Sequence, residues 1–247
     1  MGFDVCIVTF KNTADRIIKS IRNDDRVYIH DNSLNNYGFA KGANLCARQG
    51  TGPLILFINP DGDLASGVLE ALEREFSQPN VAAVAAHQGP AREKAIDRMR
   101  RLTKGIEWVP AACLAVRREL FEAVDGFDER LFMYGEDIEV CARLARFGLV
   151  YTHGNAMFHH DADNPHRYTY RMQHLNYRNL LTVGNWHTRA NLIGVLSEMK
   201  SHVQNRKLLR AAACLTGIAA FITRTRRWSM RPVEQHRGCD RTEADLK

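Results

Sequence analysis

Nothing in this chain is spaced like a disulfide framework or a zinc site. Its six cysteines, Cys6, Cys46, Cys113, Cys141, Cys214 and Cys239, include no Cys-x-x-Cys pair and follow no regular interval. This argues against both and fits a reducing cytosol. The opening Met1-Gly2-Phe3-Asp4-Val5 has no basic n-region and no long apolar run, so no signal peptide is expected. There is no Walker A pattern and no Gly-x-Gly-x-x-Gly pattern. Neither a nucleophile-elbow serine nor a Cys-His signature points to covalent catalysis. No internal repeat is visible.

What is present is a chain of 247 residues with 45% hydrophobic content and 25% charge, enough for one large domain or two small ones. The net charge of +6 is unevenly placed: residues 189–247 hold 12 Lys and Arg against 5 Asp and Glu, leaving residues 1–188 near neutrality. A basic tail can meet nucleic acid, a membrane surface or nothing. The basic residues are not interleaved with aromatics as a stacking platform would require, so no nucleic-acid partner is expected.

Strand and helix signals alternate. Val5 to Phe10, Val27 to His30 and Pro53 to Ile58 read as strands. Thr13-Ala14-Asp15 can cap a short helix carrying Ile17, Ile18 and Ile21, and a helix begins near Ala43. Ser66 to Phe76 reads as helix, Val81 to Ala86 and Val109 to Val116 as strands, and residues 87–104 as a polar, Arg- and Lys-rich loop. Helices over Arg118 to Val124 and Asp137 to Phe147 follow, the second stopped by Gly148. Leu149 to His153 reads as a strand, and Phe158-His159-His160-Asp161 closes the ordered α/β part. After Tyr168 the chain reads as helical to about Arg227. The alternation predicts βαβ units and a mostly parallel twisted sheet flanked by helices.

Three constellations carry chemistry. The apolar run Ile55 to Ile58 ends in Asn59-Pro60-Asp61-Gly62-Asp63. Two carboxylates at the end of a buried strand suit a hard divalent cation that shares its shell with substrate phosphates, although Asp-Gly is also a common solvated turn. Glu136 and Asp137 begin a helix after an aromatic-rich loop. There they either satisfy the helix dipole or supply a general base at the lip of a pocket. His159-His160 offers an imidazole ligand beside the candidate metal acids. A fourth and weaker feature is the Asn36 to Asn44 loop, whose glycines and following helix N-terminus suit a phosphate, with Lys41 as a point charge. Cys141 and Arg143 read as packing and as a paired or solvated charge.

In order, the stretches CIVTFKN, HDNSLNNYGFAKGANLCAR, LILFINPDGDL, VPAACLAVRRELFEAVDGFDERLFMYGEDIEVCARLARFG and FHHD resemble the glycosyltransferase family 2 enzymes, in particular the bacterial rhamnosyltransferase-like branch. The resemblance covers roughly residues 3 to 187. It implies a GT-A (nucleotide-diphospho-sugar transferase) fold with a helical C-terminal extension. It places Thr9, Phe10, Asp31 and Asn32 near the base and ribose of a nucleotide sugar, with Asn36, Lys41, Gly42 and Asn44 flanking it. It makes Asp61 the metal-binding acid with Asp63 beside it, has His159 or His160 complete the shell of Mg²⁺ or Mn²⁺, and makes Asp137 the catalytic base next to Glu136. The implied reaction is inverting transfer from a donor such as dTDP-rhamnose to a hydroxyl of a glycan or lipid-linked saccharide. The chain departs from the family's usual pattern at Asp125-Gly126, where Gly-Gly is frequent, and near Ala112-Cys113, where a glycine is frequent.

Residues 1–187 are expected to form the GT-A domain, 188–227 a basic helical segment and 228–247 a disordered tail. Within that segment Leu208 to Ile222 is the most apolar stretch. It is interrupted by Arg210, flanked by Arg206, Lys207, Arg224, Arg226 and Arg227, and edged by Trp228. It falls short of the about 20 apolar residues a spanning helix needs. An interfacial helix and a helix packed on the domain both fit, so the expected location is cytoplasmic, with the inner membrane face as a site of peripheral contact. Two other readings are a nucleotidyltransferase, whose Gly-rich loop after the first strand is replaced here by Thr9-Phe10-Lys11-Asn12, and a non-catalytic nucleotide-sugar-binding scaffold.

Overall fold

A computed structural model describes residues 2–103, 106–160, 169–183 and 188–224. Asp161, Arg226, Arg227, Trp228 and the tail over 228–247, all named above, lie outside the described residues. The first half runs β1 (Phe3–Thr9), α1 (Asp15–Ile18), β2 (Arg26–Asp31), α2 (Gly38–Ala47), β3 (Leu54–Ile58), β4 (Gly62–Leu64), α3 (Val68–Glu75) and β5 (Val81–His87). The second half runs α4 (Pro90–Leu102), β6 (Cys113–Arg117), α5 (Arg118–Ala123), α6 (Glu136–Leu144), β7 (Leu149–His160), α7 (Tyr170–Val183), α8 (Thr188–Gln204) and α9 (Leu208–Arg224).

The sheet order is β2-β1-β3-β6-β5-β7-β4. The pairs β1–β2, β1–β3 and β5–β7 are parallel, whereas β3–β6, β5–β6 and β4–β7 are antiparallel. The α/β architecture is the expected one, but its pairing is mixed rather than mostly parallel. The inserted β6 runs against its neighbours, and so does the edge strand β4. Strand direction leaves no mark on residue pattern, and a strand as short as β4 has too few residues to show alternation. The two strands read at Leu149–His153 and Phe158–His160 are one strand, β7, whose register against β5 shifts between Ala86 and His87. Its first part pairs with β5 and its last three residues pair with β4.

Side-chain alternation along the strands divides the core into two layers. In β1 and β3, Phe3, Val5, Ile7, Leu54, Leu56 and Ile58 face the side of α1 and α3. Cys6, Ile55 and Phe57 face the side of α2, α5 and α6. There Phe57, Phe121 and Phe127 form an aromatic cluster with ring centroids 4.9 to 5.3 Å apart. Such contacts add about 0.5–1.5 kcal/mol per pair to simple burial.

One expectation is overturned outright. Residues 87–104 are not a polar loop, because Pro90–Leu102 forms α4. Proline suits the first helical position, where its missing N–H is no loss. Ile96, Met99 and Leu102, spaced by three, turn toward the core while the Arg and Lys residues between them carry the polar face. Arg98 Nε donates to Glu198 Oε1 of α8 at 2.7 Å. The helix α2 likewise begins at Gly38, before the expected Ala43. Among the described residues, the helical region after Tyr168 consists of three helices. The core of α2, α5 and α6 continues through Tyr177, Leu180 and Leu181 of α7 to Ala213, Cys214, Ile218 and Phe221 of α9. All five cysteines that fall among the described residues are buried and free.

Candidate active site

The candidate residues converge on one edge of the sheet, where β1, β2, β3 and β5 end and β6 begins. Ligands of open α/β sheets bind at such an edge. Backbone pairing fixes the near relationships: Asn59 N donates to Ala112 O at 2.9 Å, which ties the Asn59–Asp63 turn to the entry of β6. The Asp137 carboxylate accepts the backbone N–H of Ile138 at 2.8 Å, and the backbone of Ala111 also pulls its pKa down. The turn that carries Asp61 and the Asp137 carboxyl therefore both border the Ala111-Ala112 segment.

Asp61 meets His160, with Oδ1 3.1 Å from Nε2. The His160 side chain is 2% exposed and that of Asp61 is 23% exposed, so the pair is closed toward the protein and open on the Asp61 side. Asn59 Nδ2 lies 3.3 Å from the same ring nitrogen. On the far side of the ring, Nδ1 lies 2.9 Å from Gln88 Oε1 and 3.0 Å from an Arg92 guanidinium nitrogen. Asp63 and His159 are placed differently. They are partners in the β4–β7 register, one step from the Gly62–His160 pair, and successive side chains of a strand face opposite sides. Asp63 is engaged by Arg16, whose Nε donates to Oδ1 at 2.8 Å, and this holds its carboxyl below the usual range. The four candidate ligands thus fall into two pairs, Asp61 with His160 and Asp63 with His159. Among the described residues no group of three or more His, Cys, Asp and Glu is gathered to hold a metal ion.

Glu136 and Asp137 stand at the N-terminus of α6, entered through Tyr134 at φ 68° and Gly135 at φ 88°. This left-handed step favours glycine. Asn179 of α7 braces it, donating from Nδ2 to Met133 O at 2.9 Å and to Tyr134 O at 2.7 Å. Burial pushes the Asp137 carboxyl up to about 6, against the pull of its N–H donors. Burial, and then the charge of Asp137, push Glu136 up to about 8, and Glu136 Oε2 is buried without a hydrogen-bond partner. One turn on, Glu139 and Arg143 form a pair in which each side chain is 3% exposed. Arg143 also donates to Val124 O and Gly126 O, fastening the loop before α6.

At the ends of β1 and β2, Thr9 Oγ1 donates to Asp31 Oδ1 at 3.3 Å, and Ser33 holds that carboxyl low with its hydroxyl and N–H. Phe10 and Asp31 are exposed. Asn32 is buried and spans the loop, donating to Gly38 O at 3.0 Å and accepting from Tyr37 N at 3.1 Å. Asn36 Oδ1 accepts from Gly38 N at 3.0 Å. Lys41 Nζ lies 4.5 Å from the centre of the Tyr37 ring. Gly42 lets α2 approach β1, since a Cβ there would lie 2.9 Å from Val8 Cγ1. Asn44 is buried and its amide brackets Phe127, donating to the carbonyl at 2.9 Å and accepting from the N–H at 3.0 Å. Asn32, Gly42 and Asn44 therefore build the frame, while Thr9, Phe10, Asp31, Asn36 and Lys41 stand along its edge. Gln88, Arg92 and Asn179 reach the site without having been singled out in the sequence. Asn179 falls within the span of the resemblance, residues 3 to 187, but only the folded chain brings the other two to His160.

The sheet, the flanking helices and this edge make the protein a GT-A fold. A solved structure of the same fold is the mannosyltransferase PcManGT from Pyrobaculum calidifontis in complex with GDP-Man and Mn²⁺. The TM-score is 0.57 at 12% identity, covering 90% of this chain and 88% of that one. The sequence is 38% identical over 73 residues to N-acetylglucosaminyl-diphospho-decaprenol L-rhamnosyltransferase of Mycobacterium tuberculosis, covering 29% of this chain and 24% of that protein. It is 30% identical to the O-antigen biosynthesis protein RfbC of Myxococcus xanthus, covering 48% of this chain and 12% of that protein. The chain thus matches a quarter or less of the length of these curated relatives. No family model matches it. These similarities agree with the resemblance to rhamnosyltransferase-like glycosyltransferases.

Proposed function

We propose that this chain is the catalytic α/β unit of an inverting, metal-dependent glycosyltransferase that moves a sugar from a nucleotide-diphosphate donor to a hydroxyl of a glycan or lipid-linked saccharide. The observation that carries the reading is that the turn holding Asp61, tied through Asn59 N to Ala112 O, and Asp137, whose carboxyl the backbone of Ala111 pulls down, both border the Ala111-Ala112 segment at one edge of a GT-A sheet. The M. tuberculosis relative is named as an L-rhamnosyltransferase with a polyprenyl-diphosphate-linked acceptor, which supports dTDP-rhamnose as the first donor to test.

A divalent cation fits the residues present. Asp61 Oδ1 and His160 Nε2 are 3.1 Å apart with an open side at Asp61. Mg²⁺ and Mn²⁺ keep waters and substrate phosphates in their shells, so two protein ligands suffice. When bound, the cation supplies neutralisation of the diphosphate leaving group. Thr9, Asp31, Asn36 and Lys41 line the nucleoside side. Asp137 takes the proton of the acceptor hydroxyl. The hydroxyl oxygen forms a bond to the anomeric carbon opposite the bond that breaks to the nucleoside diphosphate, so the configuration inverts and no covalent intermediate forms. A carboxyl held near neutrality suits this work, because a base is most effective when its pKa lies near the working pH.

The acceptor reading draws support from the C-terminal helices. Leu208, Leu209, Leu215 and Ile222 of α9 and Ile193 and Val203 of α8 are 54 to 72% exposed. Leu208, Leu215 and Ile222 recur every seven residues, on one face of the helix, and the exposed Arg206 and Lys207 stand at its start. No helix among the described residues is long and apolar enough to cross a membrane. This face is read as resting on an anionic bilayer. Leu208→Asp with Leu215→Asp should abolish sedimentation with phosphatidylglycerol vesicles, and equal sedimentation of variant and wild type would remove that part of the reading.

The activity test is transfer or hydrolysis across a panel of nucleotide sugars, with Mn²⁺ and with EDTA, for wild type, Asp61→Ala and Asp137→Asn. Loss with EDTA and in both variants is expected. Activity retained in Asp137→Asn would remove the base assignment, and no turnover or binding of any nucleotide sugar would favour a scaffold.

A further inference from the structure

The surroundings of His160 satisfy two different forms of its ring. Among the described residues, each ring nitrogen has one donor and one acceptor within reach. At Nε2 the acceptor is Asp61 Oδ1, at 3.1 Å, and the donor is Asn59 Nδ2, at 3.3 Å. At Nδ1 the acceptor is Gln88 Oε1, at 2.9 Å, and the donor is the Arg92 guanidinium, at 3.0 Å. A neutral imidazole carries its proton on one nitrogen and a lone pair on the other. In the Nε2–H form the ring donates to Asp61 and accepts from Arg92. In the Nδ1–H form it donates to Gln88 and accepts from Asn59. Exchange between the two relocates one proton and changes no charge.

We propose that Gln88 and Arg92 set the tautomer of His160 and thereby control access to its Nε2 lone pair. Only the Nδ1–H form exposes that lone pair on the Asp61 side, where a cation would sit. The partner of the non-ligating nitrogen commonly fixes which imidazole nitrogen a metal sees. Both bonds of the Nε2–H form are charge-assisted, to a carboxylate and from a guanidinium, whereas both bonds of the Nδ1–H form are between neutral groups. Charge-assisted bonds are the stronger kind, so the metal-free protein rests with Nε2 protonated. Arg92, donating to Nδ1, favours the form in which Nε2 carries the proton, and Gln88 accepts the hydrogen bond of the Nδ1–H form that leaves the Nε2 lone pair bare. Both side chains are committed to the ring: Gln88 Nε2 and Arg92 Nε are buried without other hydrogen-bond partners. The two residues are positioning residues that act through His160. The tautomer preference stands on geometry alone, while its consequence for metal binding rests on the proposed role of His160.

The test is long-range ¹H–¹⁵N NMR of the full chain labelled with ¹⁵N-histidine, free of metal, with His160→Gln identifying the resonance. In wild type the Nε2–H form should exceed the Nδ1–H form by at least tenfold. Arg92→Met should lower that ratio at least threefold, and Arg92→Lys, which keeps a cationic donor, should restore it. Mn²⁺ titrated in the presence of UDP and followed by water-proton relaxation should bind Gln88→Leu at least fivefold more weakly than wild type, and bind Arg92→Met more tightly. An unchanged tautomer ratio in Arg92→Met overturns the proposal, as does an Nδ1–H majority in wild type. If Mn²⁺ does not bind wild type at all, the metal reading fails while the ratio in Arg92→Met still decides the proposal.

Discussion

The ring of Phe158 lies against the α-carbon of Gly62, so closely that a Cβ at Gly62 would stand 2.3 Å from Phe158 Cζ. Phe158 is fully buried, and the backbone carbonyl of His159 would lie 2.8 Å from the same Cβ. Gly62 is thus required by the partner strand and not by a turn conformation. It seats β4 on β7 at the register that brings the preceding Asp61 to His160. Gly62→Ala should destabilise the protein by about 1–3 kcal/mol, the usual cost of overpacking. It should also weaken Mn²⁺ binding, because any shift of β4 separates Asp61 from His160. A thermal melt and an Mn²⁺ titration check the two effects, and a variant that melts and binds as wild type would contradict this account of the glycine.

The Asp137 carboxyl is pushed up to about 6 by burial. A base must be deprotonated to accept a proton, so kcat/KM should rise with pH through about 6 and then level. Asp137→Asn should cost about 10²- to 10⁴-fold in kcat, the usual range for a general base, and should leave nucleotide affinity unchanged. Steady-state kinetics across pH measure both. A flat profile with an active Asn variant would assign the proton to another group.

Glu136 predicts a stability change of the opposite sense to that of a surface acid. Its folded carboxyl is raised from 4.5 to about 8 by burial and by Asp137. The folded state therefore favours the protonated form. That contribution is complete below the unfolded value and is lost as pH rises through the folded one. Glu136→Gln removes the loss, so its melting temperature relative to wild type should climb between pH 5 and pH 8.5. At the alkaline end the gain should be on the order of a few kcal/mol. A difference that does not vary with pH would mean that Glu136 is ionised in the fold.

The pair Arg143–Glu139 is buried on both sides. Arg143→Met strands a buried carboxylate and frees the carbonyls of Val124 and Gly126. It should cost about 3–5 kcal/mol, while the double variant with Glu139→Leu should recover much of that loss. Urea titrations of the single and double variants measure the coupling. Equal losses would show that the carbonyl contacts dominate over the ion pair.

How far the site could be read in advance differs from residue to residue. The Asn59–Asp63 turn and the Glu136-Asp137 helix start were legible because each is a local pattern, acids placed where an apolar run ends or a helix begins. Which histidine meets Asp61 was not, since adjacent strand residues face opposite ways and nothing local says which way is inward. Gln88 and Arg92 were hidden for another reason. The stretch holding Arg92 is rich in charge, and its apolar stripe of Ile96, Met99 and Leu102 is narrow enough to pass for a loop. Its helicity is secured by packing under α8 and by the Arg98–Glu198 contact, about a hundred residues apart in the chain. The antiparallel course of β6 is equally silent in sequence, because a fully buried strand looks the same in either direction.

That same α4 has two working ends. Arg92 touches His160 from one turn, and Arg98 grips Glu198 of α8 six residues further on, a rise of about 9 Å along the axis. The helix is in effect a strut between the candidate site and α8. A displacement of α8 would be carried along it to the place where Arg92 meets the imidazole.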